Sequence, residues 1–132
     1  MKALDTNVLV RFLVKDDKQQ AQVVYRRFKQ AEAKKEVLFI PVLVVLETVW
    51  VLESVYEVTR QEILDSIDQL LLMPILKFEV QSAVRSFVSS AQENKIDLSD
   101  LLIAHCAKSS GCECVITFDK KASSVALFEL LK

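Results

Sequence analysis

Each short apolar run in this chain is followed by residues of helical periodicity, and that alternation limits the fold more than any other feature. "KALD" reads as a short buried strand ending at Asp5, "VLFIP" as a second, "MPILKF" as a third, and "CECVITF" as a fourth closing at Asp119. Strands joined by hairpins need only a few intervening residues, whereas parallel neighbours need a long crossover that is usually helical. Every gap here is of the second kind. The pattern predicts an α/β fold of three layers, with a central parallel sheet of four to five strands flanked by helices. The tail "VALFELLK" fits either a fifth strand or a helix. One glycine and two prolines in 132 residues exclude a turn-rich sandwich or barrel.

The helical stretches are legible from spacing and caps. "TNVLVRFLV" carries an apolar stripe, and in "KQQAQVVYRRFKQAEAKK" Ala21, Val24, Phe28 and Ala31 recur at helical intervals. Pro41 is expected at the first position of "VLVVLETVWVLESVY", a helix apolar nearly all round and therefore expected to be largely buried. Thr59 and Glu62 have the spacing of a capping box for "TRQEILDSIDQLLL". "EVQSAVRSFVSSAQEN" is a further helix. "DLSDLLIAHCAKSSG" begins with cap-type residues, Asp97 with Asp100 completing a box-like pair, and stops at Gly111. A short final helix is expected after Lys120. No linker, repeat or low-complexity segment interrupts the chain, so residues 1–132 read as one domain.

A net charge of −1 excludes a broadly basic, duplex-coating protein but leaves room for local cationic patches. Cys106, Cys112 and Cys114 form an odd set without a paired framework, as expected of reduced thiols in the cytoplasm. No signal peptide is expected, since charged Asp5 follows the start without a long apolar stretch, and no membrane span, since Pro41 and Glu47 interrupt the longest apolar run.

Four acids stand out. In parallel α/β sheets, sites lie beyond the carboxyl ends of the strands, so Asp5 and Asp119 are expected on one edge. Three of the four also have an ordinary explanation: Asp5, or Thr6 beside it, can cap the following helix. Glu47, within "VVLETVWVL", is costly unless paired, protonated or bound to a cation, and a salt bridge to another helix would suffice. Asp100, in the first turn of its helix, is favoured there by the macrodipole alone. Brought together, however, the four would repel one another, and a divalent cation removes that cost. Oxygen donors without a histidine pair or cysteine cluster select Mg²⁺ or Mn²⁺ over Zn²⁺. Phosphodiester hydrolysis is the chemistry such ions serve.

In the order "LDTNVLV", "FIPVLVVLETVWVL", "DLSDLLIAHCAKSSGC" and "VITFDKKA", the sequence resembles the PIN-domain family, specifically its VapC-type toxin ribonucleases, across essentially the whole chain. The resemblance implies a PIN-like fold and makes Asp5, Glu47, Asp100 and Asp119 the metal-binding and catalytic acids. It places Thr6 and Asn7 in the opening motif, supporting the metal or its waters, with Thr117 two residues before the last acid and Ser99 beside the third. It further implies endonucleolytic cleavage of single-stranded or loop RNA, a homodimer, and silencing by an antitoxin whose peptide fills the site. Leu101 departs from the small residue frequent at that position. Lys120 and Lys121 stand where a further acid would otherwise follow Asp119, which favours one metal ion over two.

Among the cations, Arg11, Lys15, Lys120 and Lys121 follow the two strand-end acids and are the candidates for holding RNA phosphates; the default for charged helix faces is solvation. His105, five residues beyond Asp100, lies on roughly the opposite side of its helix and is read as core or surface. Cys112 and Cys114 make a poor zinc site without a second pair. Trp50, Tyr25 and Phe28 are read as core or dimer interface, with residues 23–25 and 51–55 the candidate interface segments. Phe118, beside Asp119, is expected to pack on its strand in preference to stacking on a base. Two rival functions differ in class. A phosphatase with Asp5 as nucleophile would want an acid where Asn7 stands. A non-catalytic PIN-like module would use its acids to dock a basic partner peptide.

Overall fold

The computed structural model describes all 132 residues, which gather into two compact units, Met1–Glu79 and Val80–Lys132. In the first unit the order is β1 (Lys2–Ala3), α1 (Thr6–Val14), α2 (Lys18–Lys34), β2 (Leu38–Ile40), α3 (Val42–Ser54), α4 (Arg60–Leu71) and β3 (Leu76–Phe78). The three strands form one parallel sheet in the order β1-β2-β3, with Lys2 opposite Leu38 and Leu38 opposite Leu76. Helix pairs make both crossovers, as the alternation of the sequence requires. Leu9 and Val10 of α1, Phe28 of α2, Leu38 and Ile40 of β2, and Ile63, Leu64 and Ile67 of α4 are buried. The rings of Phe12 and Phe28 lie 4.9 Å apart and join α1 to α2.

The second unit comprises α5 (Gln81–Ala91), α6 (Leu98–Ser109), β4 (Val115–Thr117), a 3-10 turn at Ala122–Ser124 and β5 (Phe128–Leu130). The two strands pair in parallel, with Val115 opposite Phe128. Helices α5 and α6 bury Val84, Phe87, Leu98, Leu101 and Leu102. Gly111 takes φ +94 after α6. Its N–H donates to the Lys108 carbonyl at 3.0 Å, and the Cys112 N–H donates to Ala107 at 3.0 Å. That bond pair is a Schellman stop, and the left-handed residue it needs is the chain's one glycine.

The α/β class and the parallel strands stand, but several details differ from the sequence reading. The five strands divide into ladders of three and two, so the largest sheet is smaller than the four to five strands expected. With Asp5 and Asp119 beyond different ladders, a single shared sheet edge no longer places them. Strand β1 is exposed at Lys2 and Ala3 because it lies at the sheet edge. Pro41 is the N-cap of α3, one position earlier than expected, with extended backbone at φ −61 and ψ 148. Helix α3 buries only Val45, Thr48, Val49 and Leu52, one face at i, i+3, i+4, i+7 spacing, and leaves Leu43 and Trp50 exposed. The tail is a strand, and the expected final helix is reduced to the 3-10 turn. No helix is long and apolar enough to cross a membrane.

Candidate functional site

In the first unit the chain leaves β1, bonds once more through the Leu4 N–H to the Phe39 carbonyl at 2.9 Å, and turns at Asp5 into α1. The Asp5 Oδ1 accepts the Val8 N–H at 3.1 Å, so the carboxylate does cap the helix. Capping uses one oxygen of this exposed residue. Thr6 is 7% exposed and donates its hydroxyl to Glu47 Oε1, tying α1 to α3 across 41 residues of sequence. Glu47 itself is exposed, contrary to the expectation for an acid between apolar neighbours. It lies on the unpacked face of α3, and the salt bridge weighed for it does not form. Asn7 is exposed and lines, with Asp5, Val8, Arg11, Gln20, Val23 and Val24, a cavity of about 310 Å³.

In the second unit Asp97 caps α6, accepting the Ser99 N–H at 3.3 Å. Asp100 makes no return bond to complete a box. Burial, then the charges of Asp97 and Asp119, hold the Asp100 carboxyl above the ordinary aspartate value. Asp119 lies just past the carboxyl end of β4. Its N–H donates to Thr117 Oγ1 at 3.0 Å, and its Oδ1 accepts the N–H groups of Lys121 at 2.9 Å and Ala122 at 3.2 Å. The hydroxyl expected two residues before the acid is therefore a turn acceptor that fixes the acid's backbone. Ser99 is half-buried beside Asp100.

The structure thus brings Thr6 to Glu47 in one unit, and Thr117 to Asp119 and Asp119 near Asp100 in the other. Within either unit, no three His, Cys, Asp or Glu side chains gather closely enough to hold a metal ion. Ion pairs join Arg11 to Asp16, Arg27 to Glu36 and Lys29 to Glu32, and none of these involves Asp5, Glu47, Asp100 or Asp119. Each unit therefore holds two acids without a cationic partner, Asp5 and Glu47 in the first and Asp100 and Asp119 in the second.

Among the expected phosphate-binding cations, Lys15, Lys120 and Lys121 are exposed. Arg11 is committed elsewhere: its Nε donates to Gln20 at 2.5 Å and its guanidinium to Tyr56 Oη at 3.1 Å, while the Tyr56 hydroxyl donates to Asp16 at 3.0 Å. That Tyr56 bond, more than the nearby acids, raises the Arg11 pKa above its usual value. Sequence reasoning missed Tyr56 because its partners lie 40 and 45 residues away. It also missed Glu79, whose Oε1 accepts the Val42 N–H at 2.8 Å and supplies the cap that Pro41 lacks. His105 is buried, and burial together with Lys108 lowers its pKa. Phe118 is 78% exposed, so the expectation that it packs on its strand is overturned.

Two comparisons bear on what this arrangement is. The chain is 27% identical over 121 residues to the VapC ribonuclease of Aquifex aeolicus (strain VF5), an alignment covering 92% of this chain and 89% of that protein. The PIN domain family model matches residues 2–127, which include all four acids, and on that match the chain belongs to the PIN-domain family.

Proposed function

We propose that this protein is a metal-dependent endoribonuclease, the toxin of a toxin–antitoxin pair, in which Asp5, Glu47, Asp100 and Asp119 together hold one Mg²⁺ or Mn²⁺ ion. The observation that carries the reading is the match of the PIN domain family model to residues 2–127, a span that holds all four acids, none of them in an ion pair. When bound, such an ion polarises a phosphate oxygen and acidifies water. The chain's own groups do the rest. Asp5 and Asp119 are oriented by their capping bonds, and Glu47 by Thr6. Asp5 or Asp100 is the carboxylate assigned to accept a proton from water. Lys15, Lys120 and Lys121 bind phosphates of single-stranded or loop RNA, and Arg11 fixes the corner between α1 and α2. Water adds across one phosphodiester, leaving two shorter strands.

The VapC name of the relative supports this reading, as does the all-oxygen donor set. We assign the protein to the cytoplasm, where its three cysteines, which form no disulfide, stay reduced. Exposed Leu43, Trp50 and Val55 suit a homodimer, and a basic amphipathic antitoxin peptide suits the acids.

The test is cleavage of an end-labelled single-stranded RNA by the purified protein in MgCl₂, MnCl₂ or EDTA, beside the D5N, E47Q, D100N and D119N variants. Cleavage in either metal, loss in EDTA and loss in each folded variant are expected. Undiminished cleavage by a folded D5N or D100N protein overturns the assignment. An EDTA effect on melting temperature without any RNA cleavage supports the docking module instead.

A further inference from the structure

Single exposed apolar side chains are common and need no explanation by themselves. Phe118 differs in where it is held. Its backbone lies between two fixed points, the Thr117 hydroxyl that accepts from the Asp119 N–H at 3.0 Å and the Asp119 carboxylate that accepts from Lys121 and Ala122. The ring therefore projects from a pinned turn rather than from a loose loop, and it is 78% exposed. Ile116, two residues earlier on β4, is also exposed. Two exposed lysines follow directly, Lys120 and Lys121. An accessible aromatic face beside cations is the combination by which proteins take hold of single-stranded nucleic acid: bases stack on the ring while lysines track the phosphates.

We propose that Phe118 is a stacking platform for one nucleobase of the RNA, next to the phosphate presented to Asp119, and so a determinant of where cleavage occurs. The inference rests on the ribonuclease reading above. It gives the turn after β4 two tasks. Asp119 faces the reacting phosphate, and Phe118 fixes the register of the strand by holding the adjacent base. Because every base has a π face, the platform orients the RNA without reading its hydrogen-bonding edge, and it favours purines through their larger stacking area. It also requires an unpaired base, which directs the enzyme to loops and single strands.

The experiment uses the full chain carrying D5N to suppress cleavage, with F118A, F118L or F118W added, and single-stranded RNA bearing 2-aminopurine at successive positions. Quenching of 2-aminopurine at one position is expected with Phe118 or Trp at 118, and not with Ala or Leu. Replacing a stacking aromatic by alanine weakens binding roughly 5- to 150-fold, and F118A is expected within that range. An abasic site at the quenched position should weaken the Phe118 protein by a similar factor and leave F118A unchanged. F118L retains apolar bulk, so it separates stacking from loss of fold, and circular dichroism verifies each variant.

Equal quenching by F118A and its parent overturns the proposal. So does an F118A defect of the same size on abasic RNA, which would mean that the ring serves a protein contact. Unaltered RNA binding with weakened self-association in sedimentation is the third overturning result. The two readings fail separately: Phe118-dependent quenching without cleavage by the unmutated chain removes the hydrolase and keeps the platform, whereas cleavage without quenching does the reverse.

Discussion

Replacing Thr6 with valine probes the bond between two side chains that orients Glu47, a candidate ligand. The change keeps the β-branched shape at a buried position and removes only the hydroxyl that donates to Glu47. A hydrogen bond to a charged group contributes about 1.5–3 kcal/mol when both partners are shielded. Glu47 is exposed, so water replaces the lost donor and the effect on stability falls to about 1 kcal/mol or less. Unfolding entropy near 2.1 cal/mol/K per residue gives about 0.28 kcal/mol/K for a chain of this length, so Tm should fall by no more than about 4 °C. Activity should suffer more than stability. Without its donor the Glu47 side chain samples several rotamers, and a cost of about 1.4 kcal/mol in recovering the working one lowers kcat/KM about tenfold. The assays are urea or thermal unfolding and cleavage of labelled RNA in MgCl₂, with T6S as the rescue because it restores the hydroxyl. Cleavage by T6V at the unmutated rate, or T6S no better than T6V, refutes the positioning role. A cycle with E47A, read by thermal unfolding, adds a second check, since T6V should cost little once the acceptor is gone.

Three further outcomes are expected. Thr48 is 2% exposed and its hydroxyl has no partner, so T48V, which removes a buried unsatisfied group without changing shape, should raise stability by about 1 kcal/mol, or about 4 °C in Tm; a lowered Tm would reveal a hidden partner for the hydroxyl. The Arg27 guanidinium holds Glu36 below its usual pKa through bonds of 2.7 and 2.8 Å, so this pair stabilises above the ordinary glutamate range and loses its effect as pH falls through the depressed value. Melting of E36Q should therefore lie below that of the unmutated protein at pH 7 and converge with it in strong acid, and a pH-independent difference would sink the argument. Asp100 has the opposite sign: its raised pKa makes the ionised form destabilising at neutral pH, an effect that fades as pH drops toward the ordinary aspartate value. In EDTA, D100N should gain stability, because it removes a carboxylate disfavoured first by burial and then by the charges of Asp97 and Asp119; in MgCl₂ it should lose the stabilisation that ion binding gives the unmutated protein.

Local physics was enough to read much of this protein from its sequence. The parallel α/β class follows from crossover length, the stop of α6 from the one residue type at ease at φ +94, and the start of α4 from a threonine whose side chain accepts the Glu62 N–H. Asp5 and Asp119 were recognisable as strand-end acids because strand termini are marked by composition. None of these depends on a distant residue. What failed in the sequence reading was burial. Helix α3 is apolar on every face, so nothing in its own sequence says which face will be packed; its neighbours chose Val45, Thr48, Val49 and Leu52 and left Glu47 and Trp50 outside. The same holds for Phe118, whose exposure depends on what covers β4. Partners distant along the chain were equally hidden, among them Tyr56 for Arg11, Glu79 for α3 and Thr6 for Glu47. Sequence determined the elements, because capping and periodicity act within a few residues. Tertiary structure alone decided which polar groups meet and which apolar faces stay bare, because solvent exclusion and long-range hydrogen bonding are properties of the packed chain.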